Sequence, residues 1–470
     1  MGGKIAIYLG SLLHDRRYED ILKGKDFILI GSSVFKEDTH PIFQKKIKYF
    51  DQQFNQNINS EYYYDLIKKI LSDFNIPLLW SRFHRVTRAK YKSEISRFEF
   101  QLSLIHSSIK FINKYELNKV YFAYEAHNLA TYIFRKVLIE LGIETIVLKI
   151  SPFPSRLFAV NENKNTFVEN KIESSFELES FIMSKKFSKQ KEKSNFEISY
   201  PLNKSIYYNY RYHKHLLNNS TDRVDIFKSS YIVFFLHYQP EQTTLPDGGI
   251  FVSQIEALKV LSKLCEKLNF NLIVREHFGS VKYFNHNWRN ISFINNIKDL
   301  GDHVMIDDFR ESNQEILKKC RGVSTITGSV ISEALINGIP AIAFGNHPFK
   351  GWNGRSLIQF NGSFSNLLSS FKIATQLKKK EIIKETYSYL LLASKKSFGG
   401  DFFETETGRE KLKKTAYLQL VNIYKKSFDK EAIVKRRLKQ ALKLNPEIAI
   451  IFKNRHKALV DFINNTYEEN

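Results

Sequence analysis

Residues 231–349 constrain the fold more strongly than any other part of this 470-residue chain. Segments rich in β-branched or aromatic residues recur there, and each ends in polar residues or glycine: 231–237 (YIVFFLH), 271–277 (NLIVREH), 322–333 (GVSTITGSVISE) and 339–345 (IPAIAFG). Such apolar runs are typical of parallel strands that are covered on both faces, and ligands bind at the carboxyl ends of those strands. This stretch therefore predicts the ligand-binding half of the protein.

The first half of the chain contains a second α/β pattern. Residues 119–150 predict a strand, an amphipathic helix and a second strand, which together form a βαβ unit. The loop after the first strand carries Glu125 and His127 where a ligand could reach them. We therefore expect these two residues on the acceptor side of a site, although loop residues of these types are often only solvated.

The length of the chain predicts two domains and an appendage. Residues 161–225 are rich in Asn, Lys, Ser and Glu without a regular period, so they predict a helical or irregular connection. We expect a first domain at 1–223, a second domain at 224–400 and a basic helical tail at 401–470.

The chain is strongly basic, with 71 Lys and Arg against 49 Asp and Glu and a formal net charge of +22. Nucleic acid, an anionic membrane surface and phosphorylated or acidic substrates are all compatible partners. Part of the excess of Lys and Arg could instead reflect the general composition of the chain rather than a binding surface. Cys265 and Cys320 cannot build a disulfide framework, which fits a cytoplasmic protein. No apolar run approaches the roughly 20 residues that span a bilayer, so we expect any membrane contact to be peripheral.

Residues 325–333 (TITGSVISE) predict an anion site. A strand ends there, and Thr327, Gly328 and Ser329 lead into a helix, so backbone N–H groups are exposed to a phosphate. Glu333 lies early in that helix, where it could accept hydrogen bonds from a ribose or complement the helix dipole. The same arrangement is also an ordinary helix cap.

Two other strand ends carry ionisable side chains. Arg275 and His277 could neutralise the charge that develops on a phosphate leaving group. The loop at 237–249 contains His237 and Glu241, the acid/base candidates, together with a proline and a glycine pair.

Several common catalytic motifs are missing from the sequence. There is no GxxxxGK[ST], no GxGxxG after the first strand, no HExxH and no GxSxG, which disfavours ATPases, dinucleotide enzymes, zinc proteases and serine hydrolases. Asp307 and Asp308 could form a metal pair or a solvated turn. We predict no metal and no cofactor.

The segments 237–251, 275–277, 325–334 and 338–340 resemble the bacterial capsule polysaccharide biosynthesis family, which includes the Kdo transferases that build capsule linkers. The resemblance implies a GT-B-like α/β fold. Two Rossmann-like domains would face each other across a cleft, and the second would hold most of a nucleotide-activated sugar. A weaker resemblance lies around His127 and at 153–156.

The resemblance also implies residue roles. His277 and the residues Thr327, Gly328 and Ser329 would hold the donor phosphate, Glu333 the ribose, and the loop of Glu241 the transferred sugar. Many relatives have a proline after the matching histidine, where this chain has Phe278.

We therefore expect a cytoplasmic, metal-independent glycosyltransferase that uses a nucleotide-activated sugar, with CMP-Kdo or a similar acidic sugar as the preferred donor. Its acceptor would be a lipid-linked or polysaccharide chain, and its basic surface would face anionic glycan or the inner membrane. The alternative is a non-catalytic capsule assembly or export factor that binds the polymer. Nucleic-acid binding ranks third, because no nucleic-acid motif is present.

Overall fold

The computed structural model describes part of the chain and divides it into two compact units. The described residues are 4–8, 28–32, 47–51, 61–73, 76, 79, 93–122, 129–153, 156–168, 178–186, 216, 218–219, 229–237, 247–277, 291–307, 313–345 and 352–399. Unit 1 comprises Met1–Ser175 and Ser394–Asn470, and unit 2 comprises Phe176–Ala393. The domain boundaries after 223 and after 400 stay predictions, and the tail from 401 lies outside the described residues.

Unit 1 is built on a mainly parallel sheet with the strand order β14-β6-β5-β4-β1-β2-β3, and β7 pairs with β6. Its strands are β1 (Lys4–Tyr8), β2 (Ile28–Gly31), β3 (Lys48–Tyr49), β4 (Leu117–Phe122), β5 (Glu144–Ile150), β6 (Arg156–Asn161), β7 (Thr166–Phe167) and β14 (Ser397–Gly399). Its described helices are α1 (Tyr64–Leu71), α2 (Glu94–Tyr115) and α3 (Leu129–Glu140). The five strands from β3 to β5 are parallel, whereas β6 and β14 are antiparallel to their neighbours.

The βαβ unit predicted at 119–150 is confirmed by β4, α3 and β5. Its connecting loop, with Glu125 and His127, lies outside the described residues. The sequence analysis did not predict the strand β6. Arg156 is buried and donates from Nε to the Ser397 hydroxyl at 2.7 Å, which ties β6 to β14.

A buried ion cluster joins three elements of unit 1. Glu162, directly after β6, accepts hydrogen bonds from Arg135 of α3, and it lies 3.1 Å from the Lys149 ammonium of β5. Burial alone would raise the pKa of Glu162, but the charges and hydrogen bonds of Arg135 and Lys149 lower it to about 2. The carboxylate therefore stays ionised and holds the antiparallel edge of the sheet to α3.

Unit 2 contains a second sheet, with the strand order β10-β9-β8-β11-β12-β13 and parallel pairing throughout. Its strands are β8 (Tyr231–Phe235), β9 (Asn271–Arg275), β10 (Val304–Ile306), β11 (Gly322–Thr325), β12 (Ala341–Ala343) and β13 (Leu357–Gln359). Its described helices are α4 (Leu178–Lys185), α5 (Gln254–Leu268), α6 (Ile291–Lys298), α7 (Asn313–Leu317), α8 (Val330–Ile336), α9 (Phe364–Gln376) and α10 (Lys379–Lys396), the last of which ends in unit 1. A short 3-10 helix, Gly249–Val252, precedes α5.

The alternation of side chains along β8 explains the continuous apolar pattern. Ile232 and Phe234 pack into the core that also contains residues of α5, α6 and α9. Tyr231 and Val233 lie in a separate cluster with Ile316 of α7. Because both faces of the sheet are covered, no polar residue alternates with the apolar ones.

The strand order of unit 2 fixes where its sheet reverses direction. The chain starts at β8, proceeds outward through β9 to β10, and then crosses to the other side of β8 to form β11. Such a reversal leaves a crevice at the carboxyl ends of the two central strands.

Both sheets have helices between parallel strands, so the predicted α/β class with two Rossmann-like domains is confirmed. The described part of the chain has no helix with the length and apolar character needed to cross a membrane.

The Glu162 cluster gives a pH-dependent prediction. Replacing Glu162 by Gln should lower the free energy of unfolding at pH 7 by roughly 2–4 kcal/mol, because Arg135 and Lys149 lose a buried counter-charge. The folded-state pKa lies below the usual value of 4.5, so the contribution is complete above that pH and is lost as the pH falls toward 2. Urea unfolding followed by circular dichroism at pH 7 and pH 3 measures both effects.

The matched control is Glu140→Gln. Glu140 lies 2.7 Å from Lys69, whose side chain is 68% exposed, so this substitution should cost less than about 1 kcal/mol. Equal losses in the two variants, or a Glu162→Gln deficit that does not shrink at pH 3, would contradict the assignment.

Candidate functional site

The carboxyl ends of the parallel strands in unit 2 form one edge of the sheet, where polar residues and glycines collect. The residues at this edge are His237 after β8, Arg275, Glu276 and His277 at the end of β9, Asp307 after β10, Thr327, Gly328 and Ser329 after β11, and Gly345 after β12. The structure thus brings together most of the residues that the sequence predicted for nucleotide-sugar binding. We refer to residues 326–329 as the β11 turn.

His237 connects the two central strands at the point where the sheet reverses. Its imidazole Nε2 accepts a hydrogen bond from the backbone N–H of Thr327 at 3.0 Å. The Thr325 hydroxyl lies 3.0 Å from the same nitrogen and 2.9 Å from the carbonyl oxygen of Phe235. The His237 side chain is buried, so these contacts are shielded from solvent.

Gln254, the first residue of α5, holds the main chain of His237. The side-chain oxygen Oε1 of Gln254 accepts a hydrogen bond from the His237 backbone N–H at 2.8 Å. The side-chain Nε2 of Gln254 donates to the His237 backbone carbonyl at 3.2 Å. Gln254 is fully buried, so it satisfies both backbone groups just beyond the end of β8. Sequence analysis missed this residue, because an isolated glutamine at a helix start carries no signal of a distant partner.

Gly328 allows the β11 turn to pack closely against Thr325, next to His237. A Cβ atom at this position would lie 3.0 Å from the Thr325 hydroxyl oxygen and 3.5 Å from Cε1 of His237. Ser329 is exposed and occupies the N-cap position of α8, but its side chain makes no capping hydrogen bond. The alternative of an ordinary hydroxyl cap is therefore wrong for Ser329. Glu333 is half-buried and is the fourth residue of α8.

Arg275 forms a buried ion pair with Asp307. Its guanidinium Nη1 contacts the Asp307 carboxylate, and the two side chains are 8% and 4% exposed. The alternative of a solvated turn is wrong for Asp307, whereas Asp308 lies outside the described residues. Among the described residues, no group of three or more His, Cys, Asp or Glu could hold a metal ion.

His277 differs from its neighbours because it is exposed. The preceding Glu276 is buried, and its carboxylate accepts the His277 backbone N–H at 2.6 Å. This local contact ends β9 and turns the chain at the edge of the sheet. His277 is thus exposed to solvent, while the carboxylate of Glu276 holds its backbone N–H.

The loop after β8 returns to the same edge near Gly345. A Cβ atom on Gly345 would lie 2.8 Å from the backbone oxygen of Asp247 and 2.7 Å from the Thr327 methyl group. The carbonyl of Gly345 also accepts from the Gln359 side chain at 2.6 Å. Only a glycine permits this approach of the β8 loop to the ends of β11 and β12. Glu241 of that loop, and Phe278 after His277, lie outside the described residues.

The Arg275–Asp307 pair generates a stability prediction. Asp307→Asn should lower the free energy of unfolding by roughly 3–5 kcal/mol, because the substitution leaves a buried guanidinium without its counter-ion. Urea unfolding at neutral pH measures the loss. Glu315→Gln is the control, since Glu315 pairs with the partly exposed Lys318 at 2.7 Å and should cost less than about 1 kcal/mol. An Asp307→Asn cost no larger than that of the control would show that the pair does not stabilise the sheet edge.

Several solved structures show a weak likeness to this chain. The Methanocaldococcus jannaschii UDP-GlcNAc 2-epimerase has 13% identity and a TM-score of 0.27, covering 83% of this chain and 99% of its own. The Thermosulfurimonas dismutans KpsC beta Kdo 2,7 transferase has 13% identity and a TM-score of 0.26, covering 60% and 89%. Anabaena Alr3699/HepE in complex with UDP has 13% identity and a TM-score of 0.31, covering 84% and 95%. TM-scores this low support neither a fold assignment nor the transfer of residue roles.

The comparison with protein families is more specific. The family described as capsule polysaccharide biosynthesis protein matches residues 142–361, just under half of the chain. This range includes all the described residues of the candidate site in unit 2. No functionally curated protein matches the sequence. The resemblance predicted from the strand-end motifs is confirmed over residues 142–361, the part of the chain that matches the capsule polysaccharide biosynthesis family.

Proposed function

We propose that this protein is a glycosyltransferase of capsule or other surface polysaccharide synthesis, with a GT-B-type use of its two domains. It would take a sugar from a nucleotide donor, with CMP-Kdo or a similar acidic sugar preferred. The observation that carries the proposal is the contact between His237 and the β11 turn at the reversal point of the unit 2 sheet, where the neighbouring strand β9 is followed by His277. Nucleotides bind at this position in doubly wound sheets.

The spacing of the strands suits a nucleotide phosphate. His277 follows β9 and the β11 turn follows β11, with β8 between them, so the two groups are separated by about two strand spacings, or roughly 10 Å. A donor phosphate between them could accept hydrogen bonds from the imidazole and from backbone N–H groups of the turn. Glu333, in the helix that follows, would accept hydrogen bonds from the ribose.

The electrostatics favour His277 as the group closest to the phosphate. Arg275 was predicted to contact the donor directly, but its charge is balanced by Asp307. A guanidinium has five N–H donors, so Arg275 can still support the phosphate while it holds Asp307. His277 is exposed and can therefore approach a ligand from solvent.

The transfer itself requires a base and a stabilised leaving group. The acceptor hydroxyl would attack the anomeric carbon and lose its proton to the carboxylate of Glu241, while the bond from that carbon to the phosphate oxygen breaks. The phosphate would leave with the bonding electrons, and His277, Arg275 and the amides of the β11 turn would stabilise its charge. This arrangement needs no metal. The acid/base role of His237 stays a prediction.

The charge and the family match support a proposal for the acceptor and the location. Glu125 and His127 are proposed to face a lipid-linked or polysaccharide acceptor. The net charge of +22 would attract anionic glycan and the inner face of the membrane. We propose a cytoplasmic protein with peripheral membrane contact.

Nucleotide selectivity tests the proposal. CMP should raise the melting temperature of the purified protein more than CDP, UDP, GDP or ADP, because a ligand at about 100 times its Kd stabilises the folded state by about 2.7 kcal/mol. His277→Ala should weaken CMP binding about tenfold or more through the loss of a charge-assisted hydrogen bond. Differential scanning fluorimetry and titration calorimetry measure these effects.

His303→Ala is the matched control. His303 precedes β10 at the opposite edge of the same sheet, where Nε2 lies 2.9 Å from the Ser262 hydroxyl oxygen, so its loss should leave CMP affinity unchanged. A rise in melting temperature with UDP or GDP alone would be consistent with a transferase but would contradict CMP as the donor nucleotide. If no nucleotide binds, the polymer-binding assembly or export factor becomes the better explanation.

A further inference from the structure

We infer that His237 is a positioning residue: its neutral imidazole accepts the Thr327 amide and thereby fixes the β11 turn against the end of β8. The inference deepens the proposed function, because the turn is the segment proposed to hold the donor phosphate. It assigns His237 a different task from proton transfer.

The direction of the Thr327 hydrogen bond determines the state of the imidazole. A backbone N–H can only donate, so the nitrogen 3.0 Å away must present a lone pair. Nε2 of His237 is therefore unprotonated, and the ring proton of the neutral form lies on Nδ1. The Thr325 hydroxyl has a single proton, which goes either to the Phe235 carbonyl or to Nε2. In both cases Nε2 acts as an acceptor.

Contacts to the main chain of His237 and to its ring hold the imidazole in this orientation. Gln254 fixes the backbone N–H and carbonyl of His237, so the Cα atom cannot shift without breaking two buried hydrogen bonds. The ring lies against Gly328, where a Cβ atom would approach Cε1 to 3.5 Å. Buried polar groups are costly when unsatisfied, so the geometry favours one orientation of the ring.

This arrangement conflicts with proton transfer at Nε2. An acid/base group must carry a proton at the transferring nitrogen during part of the cycle. A protonated Nε2 would point its N–H at the Thr327 N–H, and the turn would have to move away. The position of the turn therefore depends on an imidazole that stays unprotonated at this nitrogen.

A pair of substitutions separates the two roles. In His237→Gln, the side-chain carbonyl oxygen reaches about the position of Nε2 and can accept the Thr327 amide. In His237→Asn, the side chain is one atom shorter and cannot reach it. Neither side chain can act as a base. If His237 is a positioning residue, the His237→Asn variant should bind CMP about tenfold more weakly than the wild type, because one buried hydrogen bond is lost. The His237→Gln variant should retain most of the wild-type affinity and kcat.

Hydrogen exchange on the ligand-free full chain supplies a readout that does not depend on activity. The amides of the peptide spanning 325–331 should exchange about tenfold faster in His237→Asn than in the wild type, and His237→Gln should restore the protection. The peptide covering Gln254–Leu268 should be unchanged in both variants, which shows that the sheet is folded.

Each outcome decides the inference. If Gln and Asn accelerate exchange equally, the acceptor contact does not hold the turn and the inference is overturned. If Gln restores exchange protection and CMP affinity but loses turnover as completely as Asn, His237 transfers a proton and the inference is overturned. If Gln rescues the exchange pattern while the wild type binds no CMP, the positioning contact stands and the proposed donor fails.

Discussion

Parallel pairing of β8 with β11 is the contact on which unit 2 depends. The register places Val323 opposite Val233 and Ser324 opposite Phe234, so the two strands end side by side. His237 and Thr327 then lie two residues beyond their strands, within reach of one hydrogen bond. A slip of one residue would turn the buried side chains of β11 to the wrong face and separate the imidazole from its amide. Sheet register and site geometry are therefore set by the same pairing.

Polar groups at this sheet edge are buried in mutually satisfying sets. Gln254 satisfies the backbone of His237, Asp307 balances Arg275, and Glu276 accepts the amide of His277. Burying each set costs desolvation free energy, and losing one partner of a set would leave a buried polar group unsatisfied at a further cost. The result is a rigid, polar rim from which His277 and Ser329 remain exposed. Such a rim suits a site whose donors must not reorganise when a phosphate arrives.

The sequence predicts the long apolar strands and the residues at their ends, because both signals are local. It does not predict β10 or β13, which have three residues each and resemble ordinary loop segments. It also misses the antiparallel edge of unit 1, where Arg156 binds Ser397, a residue 241 positions away. Distant partners are invisible to local patterns, and for the same reason the strand-end motifs identified His237 and Arg275 but not what each side chain contacts.

The net charge of +22 and the charges in the site act at different ranges. At the unit 2 edge, Arg275 is neutralised by Asp307 and Glu276 adds a buried carboxylate, so the described rim is not strongly cationic. In the proposed function the excess of Lys and Arg would act by long-range attraction, which salt screens over about 8–10 Å. Buried hydrogen bonds such as that of Thr327 are screened far less. In the proposed function, attraction of an anionic partner by the net charge and recognition of a phosphate at the rim would thus be physically separable, and the second would depend on the geometry that β8 and β11 hold in place.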